Sequence, residues 1–181
     1  MKIEFEKASL KHLDTIFGWL NEPHIQEFWD NSQEHKDDIL NFIHKRQQEY
    51  LSGTTNYWVG SIEGDPYAFI LSDILEEDEV DLSDIHRENM SKTGHTIILD
   101  FGIGNKKYLG CGLGSATLSE FITFYRNKID NQADTFFIDP DENNTKAIWV
   151  YNKAGFAKIG QCDTKQGYFV GNKSDLMVKK Y

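Results

Sequence analysis

Apolar residues recur along this chain with two different periods, and the switches between them outline its elements. Ile3-Glu-Phe-Glu alternates apolar and polar positions, the period of a strand with one covered face. Across residues 11–20 the apolar positions Leu13, Ile16, Phe17 and Leu20 fall three and four apart, which predicts a helix halted near Pro23. Ile39, Phe42, Ile43 and Tyr50 predict one face of a further helix from Asp37 onward. Residues 56–62 and 67–71 flank Glu63-Gly-Asp-Pro66 as the two arms of a hairpin.

The second half of the chain alternates more regularly. A buried strand is expected over 96–103, then a helix whose apolar face is Leu118, Phe121, Ile122, Tyr125 and Ile129. A strand follows over 135–139, a helix over 144–154 closed by Gly155, and a strand over 156–161. Residues 168–178 add a last strand after a turn at Gly167. Strands and helices alternate only in this half, so the fold class is a mixed α/β (α+β) sheet of six to seven strands flanked by helices. With no repeat, linker or low-complexity tract, residues 1–181 read as a single domain large enough for one core.

Charge narrows the partners. The formal net charge of −10 argues against nucleic acid, which needs clustered Lys and Arg, and favours a cationic partner. The acid is uneven: Glu76-Glu-Asp-Glu-Val-Asp-Leu-Ser-Asp84 carries six carboxylates in nine residues, ahead of a stretch that reads as a loop. That run is either a solvated surface or an acidic lip that concentrates a polyamine. A charged-then-apolar leader and an apolar run of membrane-helix length are both lacking, so a soluble, cytoplasmic protein with no membrane partner is expected. Cys111 and Cys162 are too few for a disulfide framework, and His24, His35, His86 and His95 lack metal-ligand spacing, so no metal is expected.

The candidate chemistry begins at Tyr108-Leu-Gly-Cys-Gly-Leu-Gly-Ser115, placed between the strand at 96–103 and the following helix. Glycines at 110, 112 and 114 leave backbone N–H groups uncovered at a helix N-terminus, the arrangement that binds phosphate. No Gly-Lys-Ser/Thr follows, and Ser115 stands where a dinucleotide fingerprint has its third glycine, so neither of those motifs fits. A plain tight turn remains the alternative. Downstream, Asn144, Ala147, Tyr151, Gly155 and Phe156 fall in the spacing Asn-x-x-Ala-x-x-x-Tyr-x-x-x-Gly-Phe.

Together the loop and this second segment resemble motifs A and B of the Gcn5-related N-acetyltransferase (GNAT) superfamily. The resemblance implies a sheet splayed between its fourth and fifth strands and acetyl-CoA as co-substrate. Amides around Gly110, Cys111, Gly112, Leu113, Gly114 and Ser115 would hold its pyrophosphate, its pantetheine arm would lie along Asp100, Phe101, Gly102 and Ile103, and Asn144 would face that arm. Tyr151 would protonate the departing thiolate; the alternative for it is a core aromatic on an amphipathic helix.

Two further stretches resemble one branch of that superfamily. Trp19-Leu-Asn-Glu-Pro-His-Ile-Gln-Glu-Phe-Trp29 is similar to a segment of the aminoglycoside 6′-N-acetyltransferases, and Asp100-Phe-Gly-Ile-Gly to the catalytic Asp region ahead of their glycine loop. The branch implies a cationic small-molecule amine as acceptor, an aminoglycoside 6′-amine, and an antibiotic-resistance type of activity. Asp100 would bind the ammonium and either relay its proton or, since an ordinary Asp is a poor base for an amine, work mainly through orientation, charge or a bridging water; Asp139 would be a second anchor, and Trp29 would stack on a sugar ring or cap an amine. Asp100 reads otherwise as a strand-end Asp satisfied by nearby amides, Asp139 as a helix cap or turn former before Pro140, and Trp29 as core packing or a lid contact. The hydroxylysine N-acyltransferases of siderophore synthesis share the loop but carry His where this chain has Asp100. An acyl-CoA-binding protein without activity, and acetylation of a peptide N-terminus, stay open, as do monomer and homodimer.

Overall fold

The hairpin forms around a turn in which Glu63 and Gly64 both adopt left-handed backbone, φ 52° and 81°, the twist that two-residue hairpin turns favour. It joins β2 (Asn56–Ile62) to β3 (Asp65–Leu75) in an antiparallel pair, and β1 (Ile3–Lys7) pairs antiparallel with the other edge of β2. The remaining strands are β4 (His95–Ile103), β5 (Ala133–Ile138), β6 (Ala157–Asp163) and β7 (Lys173–Lys180). All seven belong to one mixed sheet in the order β1-β2-β3-β4-β5-β7-β6, in which β4 and β5 run parallel. This computed structural model describes residues 2–50, 53–79, 82–165 and 168–181, so Val80, Asp81 and the turn expected at Gly167 lie outside the described residues.

The chain divides into two compact units: Met1–Asp73 with Phe101–Leu113, and Ile74–Asp100 with Gly114–Tyr181. In the first, α1 (Leu13–Leu20), α2 (Pro23–Gln26) and α3 (Gln33–Ile43) cover strands β2 and β3. Ile16, Leu20, Ile39, Tyr57, Val59 and Phe69 form its main core, each large side chain contributing about 1.5–3 kcal/mol on leaving water. In the second, α5 (Leu113–Lys128) buries Leu118, Phe121, Ile122 and Tyr125, with Tyr125 edge-on to Phe136 of β5 at 6.2 Å. A second cluster there joins Phe137, Leu176 and Val178 to Leu75 and Met90.

Several boundaries differ from the sequence expectation. Pro23 does not merely end a helix; it occupies the first turn of α2, where its missing N–H is of no consequence. The helix α3 starts at Gln33, capped by Ser32, whose side chain accepts from the His35 amide at 3.2 Å. It stops at Ile43, and Lys45 takes left-handed backbone at φ 55°, so Tyr50 lies beyond the helix rather than on its face. Ile129 falls just past the end of α5 and is exposed. A short helix, α4 (Asp84–Asn89), stands where a loop was expected after the acidic run, and β7 begins only at Lys173.

Candidate active site

The ladder between β4 and β5 runs from His95 opposite Ala133 to Leu99 opposite Ile138, and there it stops. Past that point β4 continues for four residues, whereas β5 ends and the chain enters Pro140, which has no N–H to continue a ladder. The Pro140 carbonyl instead accepts from the Asp175 amide at 2.9 Å, and Asp141 bridges Ser174, so this segment follows β7. Asp100 and Asp139 are the residues immediately beyond the last pair, one on each strand at the same step of the register.

Helix α6 (Thr145–Lys153) supplies the third group. Asn144 caps it by accepting from the Ala147 amide at 3.1 Å, a contact of about 1 kcal/mol. Gly155 closes it at φ 92°, with the Phe156 amide donating to the Tyr151 carbonyl at 3.0 Å. Ala147 and Tyr151, one turn apart, share a face, and Tyr151 is buried.

These three groups sense one another. Asp100 is exposed to solvent beyond the end of the ladder, yet desolvation by the protein around its carboxyl holds it above the ordinary carboxylate range. Burial and then the Asp100 charge raise Asp139 further, and burial with both carboxylates raises the Tyr151 phenol well above its ordinary value. The site therefore holds two carboxylates readier to take a proton than an ordinary aspartate, beside a phenol that stays protonated. Cys162 is driven up to about 11 by burial and by Asp139, which leaves it a thiol.

In the glycine loop, Gly110 and Gly112 both take φ 73°, and a Cβ at either would meet nothing within 4 Å. Backbone conformation, not crowding, is what demands glycine there. Leu113 opens α5, so the loop delivers its amides directly into the N-terminus of a 16-residue helix whose first N–H groups lack helical partners. Cys111 is exposed, Gly114 is buried and Ser115 is half-buried.

A family model described as an acetyltransferase (GNAT) domain matches residues 9–164. The chain belongs to the GNAT acetyltransferase family. This GNAT acetyltransferase is 26% identical over 160 residues to an aminoglycoside N(6′)-acetyltransferase type 1 of Klebsiella pneumoniae, across 86% of this chain and 74% of the relative. Its fold matches the crystal structure of an aminoglycoside N(6′)-acetyltransferase from Legionella pneumophila with a TM-score of 0.76 at 20% identity, covering 98% of this chain and 92% of that one. It also matches an aminoglycoside acetyltransferase solved with coenzyme A and kanamycin, with a TM-score of 0.73 at 22% identity, covering 99% and 95%.

Within this GNAT acetyltransferase, Asp100, Asp139 and Tyr151 come together, while the other expected site residues take placements of their own. On β4, Phe101 and Ile103 join an apolar cluster with Tyr67, Ala68 and Leu113, so only their backbone is left for a ligand. Gly102 and Gly104 lie on the opposite face, the face of Asp100. A Cβ at Gly102 would come within 3.1 Å of the Trp29 ring, and one at Gly104 within 2.2 Å of Trp19. These two glycines seat tryptophans, a role the strand pattern signals only as Gly-x-Gly at period two. His24, within the Trp19–Trp29 segment, donates from Nε2 to the Ile103 carbonyl at 3.0 Å and so satisfies the end of β4. Among the described residues no cluster of His, Cys, Asp and Glu is arranged to hold a metal ion, and no helix is long and apolar enough to cross a membrane.

The acidic run is partly tied down. Glu77 pairs with Lys92 at 3.6 Å, and Arg87 of α4 donates to the carbonyls of Glu79 at 2.5 Å and Leu82 at 2.9 Å.

Proposed function

We propose that this chain transfers acetyl from acetyl-CoA directly to a primary amine of a polycationic small molecule, with an aminoglycoside 6′-amine as the acceptor. The observation that carries this reading is the pair Asp100 and Asp139 at the end of the β4–β5 ladder, with the protonated Tyr151 beside it. Support comes from the relatives, named aminoglycoside N(6′)-acetyltransferases, and from a fold neighbour solved with coenzyme A and kanamycin. A net charge of −10 suits a polycation.

The glycine loop fits the co-substrate: open space over Gly110 and Gly112 and the bare start of α5 suit a pyrophosphate. Acetyl-CoA supplies an activated thioester carbonyl. Amides of Gly110, Cys111, Gly112, Leu113, Gly114 and Ser115 bind its phosphates, the backbone of Phe101, Gly102 and Ile103 aligns its arm, and Asn144 borders that arm while capping α6. Trp29 offers a ring to the acceptor. Asp139 anchors the acceptor's ammonium, which favours its charged form, and Asp100, above the ordinary carboxylate range, takes one ammonium proton so that the nitrogen lone pair is free to attack. As the C–N bond forms and the C–S bond breaks, the nitrogen gives its second proton to the carboxylate pair, Tyr151 gives its own to the sulfur and recovers one from that pair, and the other proton passes to solvent. Acetylated amine and free thiol leave with one net proton.

The test is thiol release from acetyl-CoA by the purified protein with kanamycin, tobramycin, N6-hydroxylysine and simple polyamines in parallel. Saturable turnover with the aminoglycosides is expected, with the product acetylated at the 6′-amine. Turnover confined to N6-hydroxylysine would contradict the acceptor assignment, and tight acetyl-CoA binding without turnover on any amine would contradict the activity.

A further inference from the structure

The unit that contains Trp29 also contains a buried polar cluster that the proposed chemistry does not use. Asp30, the residue after Trp29, is buried, and its carboxylate accepts from the Ser32 amide at 2.7 Å, from the Ser32 hydroxyl at 3.0 Å and from the Tyr50 hydroxyl. Its backbone carbonyl accepts from His35 Nδ1 at 2.8 Å, which fixes the proton on Nδ1 because a carbonyl can only accept. His35 is buried, its basicity is depressed by burial, and Nε2 has no partner among the described residues.

The rings around this cluster form a continuous path back to the tryptophan. His35 stacks on Tyr50 at 5.3 Å and tilts against Tyr57 at 5.8 Å; Tyr57 stacks on Phe69 at 5.8 Å, and Phe69 meets Trp29 at 5.6 Å. Asp38 anchors the far side, accepting from the Tyr57 hydroxyl and from Gln48 Nε2, each at 2.8 Å. Trp29 is thus gripped twice, through its ring by Phe69 and the bare face of Gly102, and through its backbone by the hydrogen bonds to Asp30. A buried carboxyl group is costly unless its hydrogen bonds are made, and Asp30 makes them next to Trp29.

We propose that Tyr50, Asp30 and His35 form a clamp that positions Trp29 as a wall of the acceptor site, and so sets acceptor affinity without touching the acceptor. This rests on the reading of Trp29 as an acceptor contact. Tyr50 and His35 are positioning residues, and their effect passes through Trp29.

The experiment is a double-mutant cycle on the full chain, with steady-state kinetics using acetyl-CoA and whichever amine of the panel above turns over best. Tyr50→Phe raises the acceptor KM about two- to tenfold, the range for loss of one ordinary net hydrogen bond, with kcat and the acetyl-CoA KM unchanged. Asp30→Asn, a second variant in case the first does not fold, gives the same pattern. In a Trp29→Ala background Tyr50→Phe changes the acceptor KM no further. If Trp29→Ala raises the acceptor KM but Tyr50→Phe does nothing, or adds its full effect in the double variant, the clamp is wrong while the acceptor wall stands. If Trp29→Ala leaves the acceptor KM unmoved, or no amine turns over, the reading beneath the clamp fails and the clamp with it.

Discussion

Burial raises Asp100, Asp139 and Tyr151 together, but the consequences differ at neutral pH. An ordinary Asp, near ~3.9, is a poor base for an amine; raised carboxylates narrow that gap, while a raised phenol is a more secure donor. Asp100→Asn is expected to lower kcat/KM by about 10²–10⁴, and Tyr151→Phe to lower kcat with both KM values nearly unchanged, as steady-state kinetics would show. The same shift has a stability sign. A carboxyl raised in the folded state binds more protons there than in the unfolded chain, so stability falls as pH rises from the unfolded value through the folded one. Asp139→Asn should therefore raise the melting temperature at pH 7 by about 2–4 °C for each kcal/mol relieved, and the gain should shrink as the pH is lowered toward 4. Equal melting temperatures at pH 7 would contradict the shift.

At the scale of elements, glycines do two different jobs, and substitution separates them. Gly112 has open space but left-handed backbone, so Gly112→Ala costs conformational strain of about 1–2 kcal/mol and should raise the acetyl-CoA KM with a modest loss of stability. Gly104→Ala drives a methyl into Trp19 at 2.2 Å and should lower the melting temperature far more, a comparison that thermal unfolding settles. The strands and long helices were legible because their apolar periods are strong: 56–62 was placed without error, and 96–103 and 144–154 to within a residue or so. The misses have physical causes. Pro23 marks a helix start as readily as a stop, α4 is too short and polar to show a period, and Tyr50 fits a helical spacing that Lys45 interrupts. Asp100, Asp139 and Tyr151 were implied by the family resemblance, but the Asp30–His35–Tyr50 cluster was not, since polar residues spread over twenty positions carry no sign that they meet.

For the molecule as a whole, charge and buried histidines set the response to solution conditions. With a net charge of −10, the KM for a polycationic acceptor should rise with salt between about 0.05 and 0.5 M, while that for anionic acetyl-CoA should not. His86, buried against Phe137 and bonded to Ser83, is depressed to about 4 by desolvation first and then by Lys165 and Arg87. The unfolded chain protonates this residue near 6.5, so its contribution to stability is present above that value and is lost as pH falls toward 4. His86→Gln should accordingly flatten the loss of melting temperature between pH 7 and pH 5. The central claim, that a carboxylate pair at the end of the parallel ladder prepares a cationic amine for acetyl transfer, is tested most directly by the pH profile of kcat/KM for kanamycin, measured by thiol release in the wild type and in Asp100→Ala. The account predicts activity that rises through an acid limb well above the ordinary carboxylate range in the wild type, and turnover lost across the whole range in the variant. An Asp100→Ala enzyme with wild-type turnover and the same acid limb would contradict it.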